Sequence, residues 1–286
     1  MKVVTVCRMN QARSPLAEAV LKNNFPEHGF ISTGVEAISG TPILSEVQIV
    51  AKEWGLNEIK SESSSMNDVL PDILKADLII VAEELHKQAI RAIGYKGDLV
   101  SCDSLLPDNM FAPRDPEGMA LDKARRELGK IAGLSLRVML GKLGMHSANK
   151  IISVTPNGSS DVPLAVQNAQ LEASNRGAIL IDADLRAPLD AYELDELGLT
   201  PVYFDIETIF RNGIPELKSN EIMVHSRELI NPERLYLSPT WRLFIDLCSA
   251  HKELVLITSP RYAKTRSLPD SYIVAALADE FLVIST

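Results

Sequence analysis

Residues 2–6, Lys-Val-Val-Thr-Val, form a compact β-branched run that leads straight into the polar stretch Cys7-Arg8-Met9-Asn10-Gln11-Ala12-Arg13-Ser14. Pro15 and the helix-forming Leu16-Ala17-Glu18-Ala19-Val20-Leu21-Lys22 follow at once. β-Branched residues favour a strand, and proline in the first turn of a helix loses no hydrogen bond. The start of the chain therefore predicts strand, loop, helix, a unit that must find a sheet to join. Alternation continues with strands near 30–33, 77–82 and 98–102, helices near 45–54 and 83–93, and a loop through Asp115-Pro116 before another helix. Strands alternating with helices predict a parallel sheet covered on both faces.

The 286 residues accommodate two such units. A Gly-rich, helix-ending stretch at 141–147 separates them. Beyond it come strands near 150–155, 178–182 and 254–258, helices near 164–175, 239–249 and 271–278, and a last strand at 280–284. The expected fold is α/β: two three-layer α/β/α domains, 1–147 and 148–286, each with a mainly parallel sheet and no tandem repeat between them.

A net charge of −9 argues against a broad nucleic-acid or anionic-membrane surface, so any anion site must be a local pocket. No apolar run approaches the ~20 residues that span a bilayer, and the polar start does not resemble a signal peptide, so a cytoplasmic location is expected. Cys7, Cys102 and Cys248 are widely spread, and the five histidines show no ligand spacing. Neither a disulfide framework, a metal site nor a cofactor is expected.

The first loop carries the chemistry. A loop that feeds a helix N-terminus aims several backbone N–H groups at one point and, with the helix dipole, makes a cradle for phosphate. The same field favours the thiolate of Cys7 and makes it a nucleophile. Arg13 adds a planar fork for two phosphate oxygens, and Ser14 can donate to the sulfur. A cysteine at a strand end, taken alone, is usually a small buried hydrophobe. Cys, Arg, Ser and Pro together in this setting are not explained that way.

These residues resemble the low-molecular-weight protein tyrosine phosphatases, whose signature is Val-Cys-x-Gly-Asn-x-Cys-Arg-Ser-Pro, over about residues 1–145. Ser32-Thr33-Gly34, Ala76-Asp77-Leu78-Ile79 and Asp115-Pro116 match further family segments in order. The resemblance implies catalytic roles for Cys7, Arg13 and Asp115, with Asp115 as general acid. It implies phosphate binding by the loop from Arg8, Met9, Asn10, Gln11 and Ala12 to Arg13 and Ser14, and support of that loop by Asn10, Ser14 and Ser32. Asp-Pro by itself is a common turn starter.

This sequence departs from the pattern in three ways. Met9 replaces the loop glycine, which strains the loop if that position takes positive φ. Ala12 replaces the second loop cysteine, removing a disulfide that would protect Cys7 from further oxidation. Val35-Glu36-Ala37 and Glu117-Gly118 stand where pocket aromatics are usual, which weakens the expectation of phosphotyrosine as substrate. Arg8, beside the nucleophile, is either an attractor of acidic substrates or a solvated side chain.

In the second half, an apolar strand ends in Asp182-Ala183-Asp184-Leu185-Arg186-Ala187-Pro188. This resembles the second Walker-type motif of bacterial tyrosine kinases, the P-loop enzymes of polysaccharide export, over about 148–286. The implied nucleotide site is degenerate. Pro156-Asn157-Gly158-Ser159-Ser160-Asp161-Val162-Pro163 has Val162 in place of the phosphate-gripping lysine, and Thr258 stands in place of a metal-linked aspartate. The expected partners are a phosphorylated protein or small phosphoester and, from the second resemblance, a bacterial tyrosine kinase or polysaccharide assembly protein. Nucleic acid and membrane insertion are not expected. The competing reading is a non-catalytic phosphate-binding regulator, a pseudophosphatase fused to a pseudokinase. An arsenate reductase would need a relay of further cysteines, and Cys102 stands alone in its half.

Overall fold

The computed structural model describes residues 1–106, 112–144, 151–156, 161–185, 188–218, 220–227, 229–250, 252–257, 273–274, 278 and 280–284. The chain divides into two units, Met1–Met145 and His146–Thr286, a division two residues before the sequence-based boundary at 147.

The first unit runs β1 (Lys2–Cys7), α1 (Arg13–Asn24), β2 (Gly29–Gly34), α2 (Ser45–Glu53), α3 (Leu70–Leu74), β3 (Leu78–Val81), α4 (Glu84–Ala92), β4 (Asp98–Ser101), a 3-10 turn (Cys102–Leu105) and α5 (Leu121–Lys142). Its four strands lie in the order β2-β1-β3-β4, all parallel. Because strand side chains alternate, Val4, Val6, Ile79 and Val81 share one face, packed with Ile73 of α3, Ile90 of α4 and Tyr95. The opposite face carries α1 and α5, which contact each other. β1 is a central strand, and its C-terminal end delivers Cys7 to the rim where ligands bind in open parallel sheets.

The second unit runs β5 (Ile151–Pro156), α6 (Val162–Arg176), β6 (Ile179–Asp182), α7 (Ala191–Glu196), β7 (Thr200–Phe204), α8 (Ile206–Asn212), β8 (Glu221–His225), α9 (Glu233–Tyr236), α10 (Pro239–Ser249), β9 (Leu254–Ile257) and β10 (Glu280–Ile284). Its strand order is β10-β5-β9-β6-β8-β7, again parallel throughout. One face is covered by α6 and α7 through Val162, Ala165, Val166, Ala169 and Leu194. An aromatic stack backs α10, with Phe204 and Phe244 rings 5.2 Å apart and Trp241 beside them. β7 and β8 are not announced by periodicity. Pro201 interrupts β7 and is tolerated because β7 is an edge strand. The helix expected at 271–278 lies outside the described residues except for helical Ile273 and Val274 and the single residue Ala278. No helix among the described residues is long and apolar enough to cross a membrane.

Candidate active site

β1 extends through Cys7 and α1 begins at Arg13, so the loop proper is residues 8–12. Pro15 falls in the first turn of α1, where a missing N–H is harmless. Parallel pairing of β1 with β2 sets Cys7 opposite Gly34. The chain leaving β2 then closes on the loop, with Val35 N–H donating to the Cys7 carbonyl at 3.0 Å and Glu36 N–H to the Arg8 carbonyl at 2.9 Å. That closeness requires glycine. A Cβ on Gly34 would sit 2.6 Å from the Arg8 carbonyl oxygen and 2.7 Å from the Asn10 nitrogen, both backbone atoms.

The backbone N–H groups of Met9, Asn10, Gln11 and Ala12 donate to no acceptor among the described residues. Asn10 and Ala12 are buried, Met9 and Gln11 half-buried, and four successive N–H groups without an acceptor among the described residues ahead of a helix N-terminus suit an anion. At the start of the loop the Cys7 side chain is buried, and Ser14 Oγ lies 3.1 Å from its sulfur.

Among the described residues, the left-handed non-glycine position is Asn10, at φ 54°. Met9 does not adopt positive φ, so the strain expected from methionine in place of glycine does not arise there. Asn10 is buried and makes four hydrogen bonds: its Nδ2 donates to Ser14 Oγ at 2.9 Å and Ser32 Oγ at 3.0 Å, and its Oδ1 accepts from Ser64 N–H at 2.7 Å and Lys60 Nζ at 2.9 Å. Gln11 donates through Nε2 to the Pro42 carbonyl at 3.1 Å, and Ala12 caps α1 without a side-chain bond.

Arg13 is only 2% exposed and is held by carboxylates. Its Nη1 binds Glu83 Oε1, and its Nη2 donates to Asp115 Oδ2 at 2.9 Å. The fork that sequence assigns to phosphate oxygens is thus shared with two acidic side chains, while Nε has no partner among the described residues. Burial alone would draw the guanidinium pKa down. Cys7, Asp115 and Glu83 outweigh it, and the pKa stands above the ordinary arginine value.

Asp115 also accepts from Glu117 N–H at 3.3 Å, so the turn-starting role and the position beside Arg13 coexist. Its loop is anchored by buried Glu127 of α5, which accepts from Arg114 N–H at 2.9 Å and pairs with Lys130 at 3.0 Å. At the exposed rim Arg8 pairs with Glu36 at 2.8 Å, which offsets the charge that would attract an acidic substrate.

The structure therefore brings together Cys7, Asn10, Arg13, Ser14, Ser32 and Asp115. It adds Gly34, Lys60, Ser64, Glu83 and Glu127, which sequence reasoning did not single out as site residues. Among the described residues no three His, Cys, Asp or Glu side chains form a metal-holding group.

Residues 2–102 match the family of low molecular weight phosphotyrosine protein phosphatases. The chain is 34% identical over 92 residues to the low molecular weight protein-tyrosine-phosphatase PtpB of Staphylococcus aureus, which covers 32% of this chain and 63% of that protein's length. PtpB of Staphylococcus epidermidis is 28% identical over 136 residues, covering 47% of this chain and 94% of the relative. Similar solved structures include a low molecular weight protein tyrosine phosphatase from T. tengcongensis, 24% identical, covering 49% of this chain and 99% of that one with a TM-score of 0.43. The YwlE arginine phosphatase from Geobacillus stearothermophilus is 24% identical, covering 50% and 96% with a TM-score of 0.43.

In the second unit, Gly158 and Thr258 lie outside the described residues. Val162 opens α6 and is buried in the apolar core with Val166 and Leu194. Asp182, fully buried, turns its carboxylate on its own chain, accepting from Asp184 N–H at 3.0 Å and Leu189 N–H at 2.6 Å. Asp184 is buried beside it. A cavity of about 440 Å³ lies against Ser174, Ile179, Pro215 and Lys218, at the opposite end of β6 from these carboxylates.

Proposed function

We propose that the first unit is a cysteine-dependent phosphatase that hydrolyses phosphotyrosine or a similar phosphoester, on a protein or a small molecule, through a cysteinyl-phosphate intermediate. The observation that carries this reading is the set of N–H donors at Met9 to Ala12 without an acceptor among the described residues, in the loop that joins Cys7 to Arg13. The names of the PtpB relatives support the reaction class.

The phosphoryl group enters the cradle and competes with Asp115 and Glu83 for Arg13. The Cys7 thiolate attacks phosphorus, forming an S–P bond as the ester P–O bond breaks, and Asp115 in its acid form gives a proton to the leaving oxygen. Arg13 and the loop amides bind the charge that builds on the equatorial oxygens. Asp115 then takes a proton from water as that water attacks phosphorus. The S–P bond breaks, and the electron pair returns to a sulfur stabilised by the Ser14 hydroxyl.

The second unit serves as a docking or regulatory domain, a degenerate relative of bacterial tyrosine kinase domains acting in exopolysaccharide control. Burial of Val162 in the core and use of Asp182 to hold its own loop support a domain without nucleotide turnover.

Hydrolysis of a chromogenic aryl phosphate tests the reading. Wild type should turn over, Cys7→Ser should lose at least about 1,000-fold while still binding inorganic phosphate, and Asp115→Asn should slow turnover about 100-fold. Absence of turnover in wild type with retained phosphoprotein binding would favour the non-catalytic regulator.

A further inference from the structure

Lys60 sits in the loop after α2, 53 positions from the nucleophile in sequence, yet its side chain is inserted behind the anion loop. Its Nζ donates to Asn10 Oδ1 at 2.9 Å, Ser64 Oγ at 2.8 Å and the Ser32 carbonyl at 3.2 Å, which uses all three ammonium protons. An ammonium only donates, as does the Ser64 N–H, so the two together fix which end of the Asn10 amide is oxygen. The Asn10 NH₂ must then face the serines, where it donates to Ser14 Oγ at 2.9 Å. Ser14 Oγ becomes an acceptor on that side, and its one proton is directed to Cys7 Sγ or the Thr33 carbonyl, each 3.1 Å away. When that proton points to the sulfur rather than to the Thr33 carbonyl, a hydrogen-bonded chain runs from the ammonium through Asn10 and Ser14 to Cys7 Sγ, each link polarised in the sense that stabilises negative charge at its end.

We propose that Lys60 is a positioning residue for Cys7: it locks Asn10 in its left-handed conformation and, through Asn10 and Ser14, supplies positive charge that holds the sulfur as thiolate. The proposal deepens the phosphatase reading and concerns the nucleophile's activation. Burial draws the Lys60 pKa below its ordinary value and Lys22 adds to this, while Glu18 and Cys7 pull the other way. Glu18 itself is paired with Lys22 at 2.7 Å.

The test is the pH profile of Cys7 alkylation by iodoacetamide in the full chain, followed by mass spectrometry. In Lys60→Met, alkylation near neutral pH should fall about three- to tenfold and the profile should move to higher pH, as expected for losing one charge close to the sulfur across a partly buried path. Lys60→Gln keeps a polar, hydrogen-bond-donating side chain without the charge, and should show the same displacement if Lys60→Met does not fold. Lys60→Arg should recover most of the rate. A folded Lys60→Met or Lys60→Gln with the wild-type profile would overturn the proposal, as would Lys60→Arg no faster than Lys60→Gln. Alkylation reads the sulfur directly. A displaced profile in a chain that hydrolyses no phosphoester would keep the Lys60 role and refute the phosphatase reading; hydrolysis with an undisplaced profile would do the reverse.

Discussion

Gly34→Ala places one methyl group where two backbone segments already touch. The added carbon would lie 2.6 Å from the Arg8 carbonyl oxygen, 2.7 Å from the Asn10 nitrogen and 2.8 Å from the Met9 carbonyl carbon, about 0.6–0.8 Å inside the 3.4 Å at which ordinary contact begins. None of these atoms belongs to a flexible side chain, so either β2 or the anion loop must move. Overpacking of this kind costs about 1–3 kcal/mol, which in a unit of this size lowers the melting temperature by about 3–10 °C. The catalytic cost is larger, because a displacement near 1 Å in a positioned site costs about 100-fold in rate. The assay pairs thermal unfolding by circular dichroism with kcat/KM on an aryl phosphate. Gly29→Ala is the control, since its new carbon would meet nothing nearer than the Met1 carbonyl oxygen at 3.9 Å. Wild-type activity and stability in Gly34→Ala would refute the view that the approach of β2 shapes the loop.

Glu83→Gln should loosen Arg13, which keeps Asp115 and the Pro113 carbonyl but loses one carboxylate; a destabilisation of about 1–3 kcal/mol should be read by urea unfolding, and unchanged stability would remove Glu83 from the anchoring of Arg13. Burial pushes the Cys102 and Cys248 thiols up to about 12 from the ordinary 9.0. Native protein at pH 8 should therefore be alkylated at Cys7 and at neither of the others, as peptide mapping would show. The folded state keeps these two protons where the unfolded chain loses them, so each thiol should erode stability as pH rises above 9, by about 1.4 kcal/mol per pH unit, and Cys102→Ala should flatten that slope. Calorimetric titration with Mg·ATP should give no heat of binding, and a micromolar affinity would contradict a second unit without a nucleotide site.

What could be read from sequence was local. The β-branched run, the polar loop and Pro15 are contiguous, so the first strand, loop and helix are legible from neighbouring residues alone. Lys60, Glu83 and Glu127 reach the site only because the sheet order β2-β1-β3-β4 and the packing of α5 bring distant segments to one rim. Each is a lone charged residue with no periodic signature. Gly34 was visible as part of a strand end, but its steric role exists only once β1 and β2 are in register. The concern over Met9 came from residue type, whereas the conformation is set by Asn10, whose side chain is held at four points. In the second unit Pro201 hid an edge strand, because a proline in a short apolar run argues against a strand unless its place at the sheet edge is known.

The most direct test is to trap the reaction on the sulfur. Wild-type protein mixed with excess aryl phosphate and quenched in acid within milliseconds should carry one phosphoryl group on the peptide containing Cys7, at a level that decays as substrate is exhausted, while Cys7→Ala carries none. Steady release of phosphate with no phosphoryl group ever found on that peptide, or with equal release by Cys7→Ala, would contradict the account.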